Sequence, residues 1–156
     1  MKVCDFPAGI AEMDDCNSAG WAAKMTQQEI LMHQQAAAGA PSIVPAFLGL
    51  VTEPSRGVIG FLSQFIDNAV TLDSVPHVNS TLNDMVRRAV EKLHNEARVA
   101  HNDLHKENML VKRDGSGVFI IDFEHAVDLR VRGLDLASSI ASDNLIWTRF
   151  SGLLTP

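Results

Sequence analysis

A chain of 156 residues with 46% apolar side chains is one domain by size, large enough for a well-formed core. The formal net charge of −6 and pI near 5.4 exclude general nucleic-acid affinity, which needs a basic face. No apolar run approaches the ~20 residues of a membrane span. At the N-terminus Asp5 and Pro7 interrupt any signal-peptide pattern. Cys4 and Cys16 belong to no C-x-x-C or Cys/His cluster, so reduced thiols and a cytoplasmic protein are expected.

In chain order, Met1-Lys2-Val3-Cys4 reads as the tail of a strand, and Asp5 to Gly20 as loop. Residues 21–38 are rich in Ala, Met, Gln, Glu and Leu, which predicts a helix carrying Glu29. Gly39-Ala40-Pro41 should end it, by the usual asymmetry of Gly just past a helix and Pro beyond. Residues 43–66 hold two apolar stretches around Glu-Pro-Ser-Arg-Gly, the pattern of a β-hairpin. Residues 68–80 read as loop. Thr81-Leu82-Asn83-Asp84 has the form of a capping start. Leu82, Met85, Val86, Ala89, Val90, Leu93 and Ala97 then repeat with helical period, opposite a wet face of Arg87, Arg88, Glu91, Lys92, Asn95 and Glu96. That amphipathic helix should end near Glu96–Arg98. Beyond Asp122, Leu134 to Ile146 looks partly helical.

The chemistry is concentrated in residues 99–124, where Asp103, Asn108 and Asp122 interrupt apolar surroundings. Met109-Leu110-Val111 follows Asn108, Val118-Phe119-Ile120-Ile121 leads into Asp122, and Lys-Arg-Asp-Gly-Ser-Gly between them is hairpin-turn chemistry. An antiparallel hairpin would put Asn108 at the start of its first strand and Asp122 at the end of its second, hence side by side. An amide oxygen beside a carboxylate is a hard-oxygen site, suited to Mg²⁺ and the phosphates bound to it.

His101-Asn102-Asp103-Leu104-His105-Lys106-Glu107-Asn108 fits H-x-D-x-x-x-x-N, and Asp122-Phe123-Glu124 stands where D-F-G would follow. The chain thereby resembles the protein-kinase-like families, and most closely the aminoglycoside phosphotransferase and choline kinase branch. That branch typically reads H-G-D-L-H-x-x-N, with a second His as at His105, tolerates a residue such as Glu124 for the glycine, and carries a later D-L-A, as in Asp135-Leu136-Ala137. The resemblance implies an α+β, truncated kinase-like fold: a small antiparallel N-lobe sheet with one helix in residues 1–66, and a mainly helical C-lobe carrying the catalytic-loop hairpin in residues 67–156. It implies ATP and Mg²⁺ as cofactors, with a small-molecule or protein hydroxyl as acceptor. Asp103 would take or orient the hydroxyl proton, and Asn108 and Asp122 would hold the metal. His105 would face the γ-phosphate, Asp135 would brace the catalytic loop, and His101 would pack beneath it. Glu29 would pair with a strand lysine, best represented by Lys2, or would be a solvated helix residue. Backbone of Gln64 to Ile66 would form a hinge meeting adenine.

Two other readings follow from the same residues. His101 and His105 have the i, i+4 spacing of H-E-x-x-H zinc sites, although Asn102 stands where the base Glu is needed. The absence of a glycine-rich phosphate loop before Met1 allows a truncated, non-catalytic kinase-like module or fragment.

Overall fold

A computed structural model of the chain describes residues 16–55, 57–131 and 135–145, and over these it is an α+β structure of three helices and small antiparallel sheets. Helix α1, Cys16–Gly39, is longer than the expected 21–38 at its start and ends where the Gly-Ala-Pro signal predicts. Ala36 on it and Ala40 just past its end are fully buried, and Ala40 N–H closes the last turn on Ala36 O at 2.8 Å. Gly39 lies directly against Ala97. A Cβ built on this glycine would come 2.4 Å from Ala97 Cα, so the absence of a side chain is what lets α1 dock there.

Strands β1, Phe47–Glu53, and β2, Gly57–Ser63, form the expected hairpin, with register shifts between Phe47 and Gly49 and between Val51 and Thr52. Residues 69–71 depart from the loop expectation: Ala69–Thr71 is a strand, β3, followed by a 3₁₀ turn at Leu72–Ser74. Three residues are too few to show a period of two. They become a strand because Met109–Lys112, the later strand β5, offers its edge, pairing Val70 with Val111.

Helix α2, Ser80–Lys92, carries the predicted apolar stripe, with Val86, Ala89 and Val90 buried. Its cap is Asn79, whose side chain accepts from Leu82 N–H, and not the expected Thr81 motif. The helix widens into a π turn over Leu93–Ala97 and stops at Arg98, which is left-handed with φ 57°. That wider turn brings His94 inward beside Leu93 and Ala97.

Two short strands missed by pattern reading, β4 (Val99–Ala100) and β7 (Val127–Asp128), pair antiparallel. Between them runs the predicted hairpin, β5 (Met109–Lys112) and β6 (Val118–Ile120), with Met109 opposite Ile120. Its turn is closed by Gly115 N–H on Lys112 O at 2.9 Å, with Gly115 at φ 73°. Helix α3, Leu136–Asn144, follows. One core joins these parts: Ala36 and Val44, Val86 to Leu93 of α2 and its extension, and Met109, Val118, Ile120 and Phe123 around the hairpin. Ile120 N–H also donates to Ile43 O at 2.8 Å, tying β6 to the segment that leaves α1.

Gly39→Ala should lower stability by about 1–3 kcal/mol, because the clash is with backbone that cannot rotate away. Urea unfolding checks this; an unchanged midpoint would mean that α1 does not press on Ala97.

Candidate active site

The loop after β4 has no partner strand, so its backbone must be satisfied otherwise. A carboxylate does this. Asp143 of α3, fully buried, accepts from His101 N–H at 2.7 Å with one oxygen and from Asn102 N–H at 2.7 Å with the other. Its Oδ2 also meets His94 Nε2 at 2.7 Å. Asn102 is left-handed, φ 64°, and its side chain donates to His125 O at 3.2 Å. The loop is thereby turned so that Asp103 emerges half-exposed.

Asp143 replaces Asp135 in the expected bracing role. Asp135 caps α3 instead: its carboxylate accepts from the Ser138 backbone and hydroxyl, bonds that lower its pKa. The sequence held a usable clue. Leu136, Ile140 and Asp143 fall at i, i+4 and i+7, so a carboxylate stood on the apolar stripe of a helix, where it needs buried partners.

Beyond Asp103 the chain makes a 3₁₀ turn, Lys106–Asn108, closed by Asn108 N–H on His105 O at 3.1 Å. Buried Asn108 directs its amide nitrogen at three groups: Asp103 O at 3.1 Å, His105 Nε2 at 3.1 Å and, more distantly, Asp103 Oδ2 at 3.5 Å. The other His105 nitrogen, Nδ1, lies 2.9 Å from Glu107 Oε2. At the far side of the hairpin, Ile121 N–H donates to Asn108 O at 3.0 Å, so the two ends of the ribbon are bonded neighbours. Ile121 O in turn meets His101 Nε2 at 2.9 Å. Asp122 follows immediately, left-handed at φ 68°.

Phe123, fully buried, packs its ring 5.1 Å from that of His101 and 5.6 Å, edge-on, from that of His33 on α1. His33 also contacts Phe61 at 4.9 Å and bonds Pro45 O at 2.9 Å through Nε2. An aromatic column thus joins α1, the β1–β2 hairpin and the loop after β4. Sequence reading assigned His33 no role.

Glu29 on α1 is buried, 4% exposed, which removes the solvated-helix alternative for it. Lys2 lies outside the described residues. Gln64 follows β2 with its backbone N–H on Ala46 O at 2.8 Å, and Ile66 is buried. The zinc reading fails on geometry. His101 and His105 stand in an extended loop, not on a helix, and His101 turns its Nε2 onto a backbone carbonyl. Among the described residues no group of three His, Cys, Asp or Glu side chains could hold a metal.

A divalent ion that arrives with phosphates asks less: one or two protein oxygens, the rest from phosphate and water. The residues present fit that demand. With its nitrogen committed to Asp103 O and His105, Asn108 has its amide oxygen left to offer, and Asp122 supplies a carboxylate from the other end of the same ribbon. The half-exposed Asp103 carboxylate stands where a hydroxyl could approach it.

Residues 56–133 match the RIO domain family, an atypical protein-kinase-like family, and this is half of the chain. The match runs from the start of β2 to just beyond β7 and includes Asp103, His105, Asn108 and Asp122. The kinase-like resemblance therefore holds, through a different branch from the small-molecule kinases that the H-G-D-L-H pattern suggested. No curated protein sequence matches the chain.

Asp143→Ala should cost about 3–5 kcal/mol, since it strands three donors that converge on a buried carboxylate, whereas Asp135→Ala should cost about 1 kcal/mol as an exposed cap. Urea midpoints in the reverse order would return the bracing role to Asp135. Burial pushes the His101 imidazole below its usual 6.5. The unfolded chain then binds a proton that the folded chain refuses, so this residue makes stability fall as pH drops below about 6.5. His101→Phe should flatten the stability profile between about pH 7 and pH 5, and an unaltered slope would locate the dependence elsewhere.

Proposed function

The chain belongs to the RIO domain family, and from that membership we propose an ATP- and Mg²⁺-dependent phosphotransferase that moves the γ-phosphoryl group of ATP to a hydroxyl. The oxygen of the acceptor bonds to the γ-phosphorus, the bond from that phosphorus to the β–γ bridging oxygen breaks, and ADP leaves. Asp103 accepts the hydroxyl proton, a task that suits a carboxylate fixed in place yet reachable from solvent. Asn108 and Asp122 would hold Mg²⁺, which when bound neutralises charge on the phosphate oxygens.

The single arrangement that supports this reading is the bonded base of the β5–β6 ribbon. Asn108 reaches back to Asp103 through its amide and across to Ile121, the neighbour of Asp122, through its carbonyl. Two hydrogen bonds thus tie Asn108 to Asp103 in its own loop and to the residue before Asp122 at the other end of the ribbon. Glu29, buried on α1, is the proposed partner of a phosphate-contacting lysine, for which Lys2 is the candidate. The chain from Gln64 to Ile66 is the proposed adenine-contacting edge. The acceptor we propose is a hydroxyl, of a small molecule or of a protein, either of which could reach the half-exposed Asp103 carboxylate. The place of action we propose is the cytoplasm; among the described residues no helix is long and apolar enough to cross a membrane.

³¹P-monitored turnover of Mg·ATP tests the reading. Asp122→Ala and Asp103→Asn should each lower the rate by about 10²-fold or more. Rates equal to that of the parent chain would remove it.

A further inference from the structure

We propose that Glu107 is a positioning residue, which fixes the tautomer of His105 and through it the orientation of the Asn108 amide. The proposal rests on the reading of Asn108 as a metal ligand for its consequence, but not for its geometry. The deduction begins at Asp103. Its backbone carbonyl can only accept, and it lies 3.1 Å from one end of the Asn108 amide. That end must be the NH₂ group. The same nitrogen faces His105 Nε2 at 3.1 Å, and an amide nitrogen can only donate, so Nε2 must carry a lone pair. A neutral imidazole then bears its proton on Nδ1. Nδ1 points at Glu107 Oε2, 2.9 Å away, and the carboxylate accepts that proton's hydrogen bond.

For a neutral ring that accepts from Asn108, these contacts assign each hydrogen in turn, and the sequence ends on a charge-assisted bond to a carboxylate. Two consequences follow for the site. The Asn108 amide is held by both of its hydrogens, which leaves its oxygen directed away from Asp103 and His105. In addition, Nε2 in this tautomer gives no hydrogen to Asp103 Oδ2, 3.3 Å away, whereas an Nε2–H ring would donate to that carboxylate in place of accepting from Asn108. Glu107 touches neither metal nor acceptor in this scheme. It acts through His105, as carboxylates behind metal-bound histidines do.

Glu107 is well exposed, so substituting it should leave the fold intact. The experiment uses the full chain with ¹⁵N-labelled histidine and asparagine. Long-range ¹H–¹⁵N spectra should show His105 as the Nδ1–H tautomer, with a scalar coupling across the hydrogen bond from Asn108 Nδ2 to His105 Nε2. In Glu107→Ala the ring should move towards the Nε2–H form and the coupling should vanish. Mn²⁺ binding, read by electron paramagnetic resonance, should weaken about tenfold. Glu107→Gln, which can still accept through its amide oxygen, should retain most of both signals. An Nε2–H tautomer in the parent chain, or Glu107→Ala spectra and Mn²⁺ affinity like the parent's, would overturn the proposal. If the parent shows the tautomer and coupling but binds no Mn²⁺, the metal-ligand reading of Asn108 falls and the positioning by Glu107 stands. If it binds Mn²⁺ without the coupling, the reverse holds.

Discussion

The carboxylate of Asp143 is the point from which the site is built. A buried carboxylate without partners costs several kcal/mol, and Asp143 offsets that with three short contacts, two of them to consecutive backbone N–H groups. Consecutive N–H groups can converge on one carboxylate only if the chain curls around it, and the left-handed turn at Asn102 supplies the curl. The loop is therefore shaped by an acceptor some forty residues further along the chain, not by its own sequence. Without Asp143, the buried His101 and half-buried Asn102 would lose the acceptor for their N–H groups, and Asp103 would lose its fixed direction.

From this anchor the geometry passes through Ile121. Its N–H goes to Asn108 O and its carbonyl to His101 Nε2, so one peptide unit on either side links ribbon to loop. His101 has its second ring nitrogen buried without a partner, an expense tolerated because the ring also fills the space beside Phe123. Immediately after this junction Asp122 adopts φ 68°, a conformation that Asp tolerates better than most residues but still at a cost. Asn102 and Asp122, both left-handed, flank the place where Asp103 and Asn108 meet. Backbone held in sparsely populated conformations at such a place indicates that side-chain direction there is fixed by its surroundings.

Local patterns in the sequence were sufficient for α2 and for both hairpins, because each writes its own periodicity or turn chemistry into adjacent residues. They were also sufficient to bring the two ends of the β5–β6 hairpin together, as the Ile121–Asn108 bond shows, since a hairpin of known length determines which of its ends are neighbours. They failed wherever a residue's role was set by a distant partner. β3, β4 and β7 have at most three residues each and exist through pairing. Asn79 became the cap of α2 through its backbone conformation, which a Thr-x-x-Asp spacing does not reveal. His94 turns inward because the helix widens over Leu93–Ala97, and no 3.6-residue wheel predicts a π turn. Asp135 attracted the bracing role by motif, while Asp143 held it by being the carboxylate on an apolar stripe.

The division between the proposed reacting groups and their support also follows the family match. Asp103, His105, Asn108 and Asp122 all lie within residues 56–133. The groups that hold them come from both sides of that span: His33 and Gly39 on α1 before it, Asp143 on α3 after it. A physical asymmetry underlies this. A proton acceptor and oxygens for a divalent ion must be particular atoms at particular spacings, and a short stretch of chain can specify them. Rigidity demands only that something acceptor-like, or something of the right volume, arrive at the back of the loop. The span that identifies the chemistry is thus not the span that makes it precise. The ribbon and loop alone contain every candidate reacting group, yet without α1 behind Phe123 and α3 beneath His101 nothing would hold those groups in one arrangement.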